Sequence, residues 1–277
     1  MHQNDNNAPV STFLGQQRPL VIAHRGASSL APEMTMAAYL KARQDLADGY
    51  ECDVQLTKDL QPVCFHDTNL NRTSNGFGRL GAKTLAELKR LDYGTWFGEL
   101  PTEFTIEQWC SMLTLSELLE FVAAQSTAPI MLIETKHISA NGIKLEAATI
   151  AAIKKFGLDN HDSTKPRAAL MSFSIPALRR ARSIDPDLYT VFLLAKKLPA
   201  LDKLSNFVGS NAWGLGIHLL RTNPELVEQA RSNGIQVFVW TVNTPEQIEL
   251  CLKYKVDVII TDNPAATNQT IARLAAS

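Results

Sequence analysis

Nine short apolar runs alternate with longer helix-like stretches along this chain, and that alternation leaves few folds open. The runs are Leu20–Ala23, Tyr50–Leu56, Pro62–Phe65, Ile130–Ile133, Ala168–Met171, Tyr189–Leu194, Ala212–Ile217, Gln236–Val242 and Asp257–Ile260. Most are β-branched or aromatic and bounded by Gly, Pro, Asp or Asn, as strands are. Between them Met34–Leu46, Leu115–Ala124, Ile143–Phe156, Ile175–Arg182, Pro224–Asn233 and Pro245–Lys253 read as helices. Thr114, Ser116 and Glu117 form a capping pattern, and three of the others carry Pro near the first turn, where its missing N–H costs little. Strand–helix alternation argues for parallel strands joined by right-handed crossovers. One link breaks the rule. Only Thr57–Gln61 separates the second run from the third, and a parallel crossover needs about a dozen residues. Those two runs must pair as an antiparallel hairpin, which accommodates nine runs in an eight-stranded closure. The expected fold is α/β: a distorted (β/α)8 TIM barrel with a small insertion after the second-strand hairpin.

The insertion is expected over residues 68–113. It holds Gly76, Gly78, Gly81, Gly94 and Gly98, a short helix at Leu85–Leu91 and two Trp. Connections this long inside a domain are usually functional or carry their own structure, so this one is expected to cap the mouth of the barrel. The 277 residues fit a single barrel domain over 19–277 behind a poorly ordered, Asn/Gln-rich leader, residues 1–18. That leader lacks a basic stretch followed by an apolar core, so it does not read as a signal peptide. Lys plus Arg is 27 and Asp plus Glu is 28, a net charge of −1, which lacks the excess of a nucleic-acid or anionic-membrane binder. No run reaches the roughly 18 apolar residues that span a bilayer, so no stable membrane association is expected. The four cysteines, Cys52, Cys64, Cys110 and Cys251, form no CxxC pair and no disulfide framework. Cys52 and Cys64 read as small buried thiols, and the cytoplasm is the simplest address.

In such a barrel, chemistry belongs at the C-terminal ends of the strands. There the chain carries His24-Arg25-Gly26, Glu51-Cys52-Asp53, His66-Asp67, Glu134-Thr135-Lys136, Ser172-Phe173, Trp240-Thr241-Val242-Asn243 and Thr261-Asp262. Alternation along a strand puts Glu51 and Asp53 on one face and Cys52 on the other. With Glu134 they make three oxygen-bearing side chains at one mouth, the set Mg²⁺ or Ca²⁺ prefers. The alternative is a salt-bridge network with Arg25 and Lys136. If the hairpin turn centres near Asp59 and Leu60, cross-strand residue numbers sum to about 119 and Asp53 faces His66. His24 arrives from the neighbouring strand. Two imidazoles beside a carboxylate cluster suit a general acid and a general base. Arg25 and Lys136 supply fixed cations for an anionic substrate, Arg as a bidentate fork and Lys as a point charge. Together these residues read as phosphoryl-ester chemistry. There is no GxxxxGK[ST] loop and no GxGxxG after a strand. Of the other histidines, His2, His137 and His161 read as surface residues, and His218, after a Gly-rich strand, as a pocket residue.

The chain resembles the glycerophosphodiester phosphodiesterases. The matching residues are His24-Arg25-Gly26, Pro32-Glu33-Met34-Thr35, Glu51-Cys52-Asp53-Val54 with Leu56-Thr57 and Asp59, Pro62-Val63 with His66-Asp67, Arg72-Thr73, Leu115 with Glu117, Glu134-Thr135-Lys136, Ser172-Phe173, Trp240-Thr241-Val242-Asn243, and Thr261-Asp262 with Pro264. The resemblance implies hydrolysis of glycerophosphodiesters, such as glycerophosphocholine or glycerophosphoethanolamine, to sn-glycerol 3-phosphate and an alcohol. Carried over by motif, Glu51, Asp53 and Glu134 would bind one divalent ion, Mg²⁺ or Ca²⁺. His24 and His66 would be the acid–base pair. Arg25 and Lys136 would hold the phosphate, Trp240 would wall the substrate pocket, and Glu33 would support Arg25 or a neighbour. Two departures stand out. Met34 replaces the family's usual Asn, and Leu60 replaces the Gly that commonly follows the hairpin Asp, so the turn is expected not to need φ > 0 there. Two other functions are compatible with such a chain. One is a phospholipase D-like activity on lysophospholipids or sphingomyelin, using Phe77, Leu80, Tyr93, Trp96, Phe97 and Leu100 as an apolar rim; the other is a barrel kept only for binding.

Overall fold

The structure is a computed structural model, and it describes residues 14, 18–99, 103–136 and 142–276. His2, Leu100, His137 and most of the predicted leader lie outside the described residues. Leu14, the one described residue of residues 1–17, is 7 % exposed and packs with the apolar side chains inside the barrel.

All nine expected strands are present: β1 Leu20–Ala23, β2 Gly49–Leu56, β3 Pro62–Cys64, β4 Ile130–Thr135, β5 Arg167–Ser172, β6 Thr190–Leu194, β7 Ala212–Gly216, β8 Gln236–Trp240 and β9 Val258–Thr261. Their order is β1-β9-β8-β7-β6-β5-β4-β2-β3, and β1 also pairs with β2. Eight parallel strands therefore close into a barrel, with β3 hung antiparallel on β2. The protein is a TIM barrel.

The hairpin differs from expectation by one residue. Val54 pairs with Cys64, Gln55 with Val63 and Leu56 with Pro62, so partners sum to 118 and the turn centres on Asp59. Thr57 N–H donates to the Gln61 carbonyl at 3.1 Å, and Gln61 N–H donates to Thr57 Oγ1 at 2.9 Å. The loop is thus three residues, Lys58 to Leu60, and such loops commonly end in a left-handed residue. Leu60 takes that position, with φ 62°, against the expectation that it would not.

Inside and outside the barrel alternate with residue parity. Leu20, Ile22, Ile130, Leu132, Ala169, Met171, Val191, Leu193, Ala212, Phe238, Val258 and Ile260 form the interior. Their sequence neighbours, such as Cys52, Met131, Ile133, Leu170, Phe192, Trp213, Val237 and Ile259, face the helices in a second, larger core. On β2 and β4 the inward series continues past the apolar layers to Glu51, Asp53 and Glu134, which are buried. Removing the apolar surface of both layers from water is the main drive for this closure.

The first helix runs Met36–Gln44, shorter than expected, because Thr35 caps it and Leu46 turns left-handed at φ 57° beyond it. Helices at Leu201–Val208 and Ile217–Thr222 were not expected; their N-cap residues, Ala200 and Gly216, make no side-chain cap, so the usual start signal is missing. A last helix, Pro264–Ala275, does carry a signal, Asn263 as cap and Pro264 in the first turn.

Residues 68–113 form a separate packed unit, as far as they are described. They hold a 3₁₀ turn at Leu80–Ala82 and helices Leu85–Leu88 and Ile106–Cys110, both helices opened by capping boxes. Leu70, Leu80, Leu88, Tyr93 and Met112 pack with Val63 and Phe65, while Phe104 and Trp109 pack on Ala31, Ala37 and Ala38 of the first helix and the loop before it. Among the described residues, none from this unit lines the cavity at the barrel mouth. No described residue of the unit therefore reaches the cavity that it was expected to cap. No helix among the described residues is long and apolar enough to cross a membrane. The four cysteines are free, three of them buried and Cys110 half-buried.

Candidate active site

The mouth of the barrel encloses a cavity of about 230 Å³ lined by His24, Arg25, Glu51, His66, Glu134, Lys136, Met171, Phe173, Leu193, Trp240 and Ile260. Asp53 is not part of the lining but pairs with Arg25 and Lys136, which are. Of the residues singled out in the sequence, eight meet here, and Glu33 stands behind Arg25. His218 is not among them: it is exposed at the start of the helix Ile217–Thr222. His161 is half-buried against the Asp187 carbonyl, 2.7 Å from its Nε2, and is not among the residues lining the mouth cavity.

Strand register assembles the carboxylates. Asp53 pairs directly with Glu134 across β2 and β4, and Glu51 stands two residues lower on the same face of β2. One oxygen from each of the three lies within 4.8 Å of the others. Two cations hold the cluster together. Lys136 Nζ lies 2.9 Å from Asp53 Oδ1 and 2.8 Å from Glu134 Oε1. Arg25 Nε lies 3.0 Å from Asp53 Oδ2, an ion pair whose alignment falls short of a hydrogen bond. Arg25 backbone N–H also donates to Glu51 Oε2 at 3.1 Å. The salt-bridge alternative and the ligand set are therefore built from the same side chains.

Their protonation differs for physical reasons. Burial, then repulsion from Asp53, raises Glu51 well above the ordinary carboxylate range. The same two causes push Glu134 up to about 8, against the pull of Lys136. Burial works against Asp53 as well, but Arg25 and Lys136, with His66 behind them, overcome it and hold Asp53 at about 2.

Each histidine is fixed by an aspartate. His24 Nδ1 lies 2.7 Å from Asp262 Oδ1, and its Nε2 points to Glu51 Oε2 at 3.9 Å. Asp262 is itself held by Ser28 Oγ at 3.0 Å and Asn243 Nδ2 at 2.6 Å. Burial opposes ionisation of Asp262, yet His24, Asn243 and Ser28 outweigh it and lower its pKa. His66 Nδ1 lies 2.6 Å from Asp67 Oδ1. Desolvation pulls the His66 pKa below 6.5, opposed by Asp53 and Asp67 and assisted by Arg25 and Lys136. With the observed register, Phe65 rather than His66 faces Asp53: Phe65 N–H donates to the Asp53 carbonyl at 2.9 Å. His66 sits one residue beyond, still on the cavity wall.

Arg25 reaches the site from a left-handed turn, φ 59°, followed by Gly26 at φ 85°, where a Cβ would lie 2.6 Å from Ala38 Cβ. Met34 is also left-handed, φ 58°, and its N–H donates to the Arg25 carbonyl at 2.9 Å. That explains why Asn, which tolerates this conformation, would suit the position. Trp240 donates Nε1–H to the Gly214 carbonyl at 2.9 Å and meets Phe173 edge to face, ring centroids 5.5 Å apart. Of the suggested apolar rim, Leu80 and Tyr93 are core residues, while Phe77 and Trp96 are exposed.

Four supporting residues were not singled out as site residues: Asp67, Arg72, Asn243 and Asp262. A signal for Asp262 existed. Closure pairs Ala23 with Thr261, so the next residues, His24 and Asp262, must meet.

A model of the glycerophosphoryl diester phosphodiesterase family matches residues 24–266 of the chain. The chain belongs to this family. A Mycobacterium tuberculosis relative named "Probable glycerophosphodiester phosphodiesterase 1" is 37% identical over 250 residues, covering 90% of this chain and 91% of that protein. A glycerophosphodiester phosphodiesterase from Caldanaerobacter subterraneus subsp. tengcongensis is 36% identical over 247 residues, covering 89% and 95%. Among solved structures, an Oleispira antarctica phosphodiesterase in complex with the product sn-glycerol-3-phosphate superposes with a TM-score of 0.81 at 26% identity, over 94% of this chain and 99% of that one. As a member of the family the chain is an enzyme, a glycerophosphodiester phosphodiesterase, and its reaction is hydrolysis of glycerophosphodiesters.

Proposed function

We propose that the mouth of the barrel cleaves glycerophosphodiesters such as glycerophosphocholine and glycerophosphoethanolamine to sn-glycerol 3-phosphate and an alcohol, with Glu51, Asp53 and Glu134 holding one Mg²⁺ or Ca²⁺ ion. The observation that carries this reading is the buried carboxylate cluster itself. Three hard oxygen donors suit either ion. The upward pressure on Glu51 and Glu134 is the electrostatic penalty a divalent cation would relieve. When bound, such an ion supplies charge neutralisation of the phosphodiester and acidification of a hydroxyl.

The chain's own groups do the rest. Arg25 and Lys136 hold the phosphate oxygens, and Glu33, 3.0 Å from Arg25 Nη1, keeps the guanidinium aimed. One histidine takes the proton of the attacking hydroxyl and the other protonates the leaving alkoxide; a water attacks directly to give sn-glycerol 3-phosphate, or the substrate's 2-hydroxyl attacks and a water then opens the resulting cyclic phosphodiester. Both imidazoles have Nδ1 tied to an aspartate, which leaves Nε2 as the working nitrogen. Trp240 and Phe173 wall the pocket and keep water off one side. A cavity of about 230 Å³ suits a small diester; pockets for drug-sized ligands run to roughly 300–1,000 Å³, so this favours deacylated substrates over lysophospholipids.

The test is release of sn-glycerol 3-phosphate from both diesters with Mg²⁺, with Ca²⁺ and with a chelator. Ion-dependent release from either supports the reading. No release from folded, ion-loaded enzyme, or release indifferent to chelation, overturns it.

A further inference from the structure

Beside the mouth, Arg72 joins two carboxylates that do not touch the reaction themselves. Its Nη1 and Nη2 donate to Glu33 Oε2 and Oε1, each at 2.8 Å. Its Nε and Nη2 donate to Asp67 Oδ2 and Oδ1, at 2.7 and 3.1 Å. Glu33 Oε1 also accepts from Arg25, and Asp67 Oδ1 also pairs with His66. One guanidinium therefore links the side chain proposed to hold phosphate to one proposed to move a proton. Arginine alone offers the planar fork that can serve two carboxylates at once. Arg72 is absent from the cavity lining, so whatever it does is done through Glu33 and Asp67.

Its backbone is anchored. Leu70 and Thr73 are buried on either side, Ser74 Oγ donates to the Leu70 carbonyl at 2.7 Å, and Leu70 N–H donates to the Gly78 carbonyl at 3.0 Å. On the other side, Glu33 precedes the left-handed Met34, whose N–H is bonded to the Arg25 carbonyl. The two arms come from regions distant in sequence, the β1 loop and the start of the inserted unit, and no other ion pair among the described residues joins them.

We infer that Arg72 is a positioning residue that couples the placement of His66, through Asp67, to that of Arg25, through Glu33. The inference rests on the roles proposed above for His66 and Arg25. The coupling predicts a split. Cutting the Asp67 arm disturbs proton transfer and appears in kcat. Cutting the Glu33 arm disturbs phosphate binding and appears in KM. Cutting the hub disturbs both.

The experiment measures kcat and KM on glycerophosphocholine for wild type, E33Q, D67N, R72A, R72K, the double variant E33Q/D67N and the triple variant E33Q/D67N/R72A, with folding checked by circular dichroism and melting. D67N is expected to lower kcat by about 10-fold with KM within about twofold, and E33Q to raise KM by about 10-fold with kcat within about twofold. R72A should do both, and R72K, which keeps the charge but not the fork, should fall between R72A and wild type. Adding R72A to E33Q/D67N should change neither constant by more than about twofold, because both arms are already cut. Wild-type constants in R72A, or a further loss of about 10-fold in the triple variant, would overturn the inference. If R72A does not fold, wild-type constants in R72K have the same force. A wild-type enzyme inactive on the diester sinks the proposed function, and this inference falls with it; an active wild type with an indifferent Arg72 sinks only the inference.

Discussion

Glu134→Gln separates the cost of the carboxylate cluster from its use. In metal-free protein the Glu134 carboxyl is pushed from 4.5 to about 8, by burial first and Asp53 second. The folded state thus keeps a proton, between about pH 4.5 and 8, that the unfolded chain has lost. Glu134's contribution to stability must fall as pH rises through that window and level off above it. At about 1.4 kcal/mol per pH unit over about 3.5 units, the ceiling is on the order of 5 kcal/mol. The buried amide that replaces the carboxyl carries its own desolvation cost of about 1–3 kcal/mol, so roughly 2 kcal/mol is the relief expected from removing the Glu134 carboxylate. The amide that replaces it keeps the volume and a carbonyl for Lys136. At about 2.1 cal/mol/K per residue, 277 residues give an unfolding entropy of about 580 cal/mol/K, so 2 kcal/mol is about 3–4 °C in Tm. In chelator the variant should match wild type near pH 5 and melt about 3–4 °C above it at pH 8.5. A saturating divalent ion, at about 100 times its Kd, should add about 2.7 kcal/mol to wild type and reverse the order, while the variant gains little. Differential scanning calorimetry at pH 5, 7 and 8.5, with chelator, Mg²⁺ or Ca²⁺, reads all of this. Parallel pH curves for the two proteins in chelator, or equal gains on adding the ion, would refute the reasoning.

His24→Ala and His66→Ala should each lower turnover by about 100-fold or more with the melting temperature preserved, and near-normal rates in either would remove it from the acid–base pair. Asp262→Asn leaves His24 in place but takes away the anion that holds Nδ1, 2.7 Å away; kcat should drop about 10-fold or more with KM little changed, and an unchanged kcat would make Asp262 a structural partner only. Leu60→Gly relieves a left-handed backbone at φ 62° on a partly exposed turn. A gain of about 0.5–1 kcal/mol, seen as a higher urea midpoint at constant slope, is the expected outcome, and a loss would mean that the Leu60 side chain contributes more than its backbone costs.

Much of the fold was legible because its signals are local. Nine strands, the hairpin and the helices with Pro or Ser/Thr starts follow from periodicity and capping within windows of about 10 residues. Apart from the last helix, whose start Asn263 and Pro264 mark, what escaped lacked a local signal or had one that pointed elsewhere. Ala200 and Gly216 open helices without a side-chain cap. Leu60 is left-handed although leucine disfavours it, because Thr57 and Gln61 close the loop from both ends. That choice set the register, and one residue of register decided that Phe65, not His66, pairs with Asp53.

The candidate site divides the same way. Glu51, Asp53, Glu134, His24 and His66 could be found because each sits at the end of a strand-like run, and parity fixes which of them face inward. Their partners could not be found by that route, since a supporting residue is defined by contact and not by its own segment. Asp262 supports His24 across 238 residues of sequence, and Arg72 reaches Glu33 across 39. Closure makes the first of these contacts derivable: once eight parallel strands form a ring, β9 must lie beside β1, and strand-end residues in register are obliged to meet. No such rule yields the second. Arg72 lies in an insertion outside the barrel's repeating geometry, so its fork onto Glu33 and Asp67 follows from packing alone. Barrel register therefore supplies the groups proposed for chemistry, while the insertion supplies a brace that sets two of them relative to one another. An insertion of this kind can change how the mouth is aimed without changing what lines it.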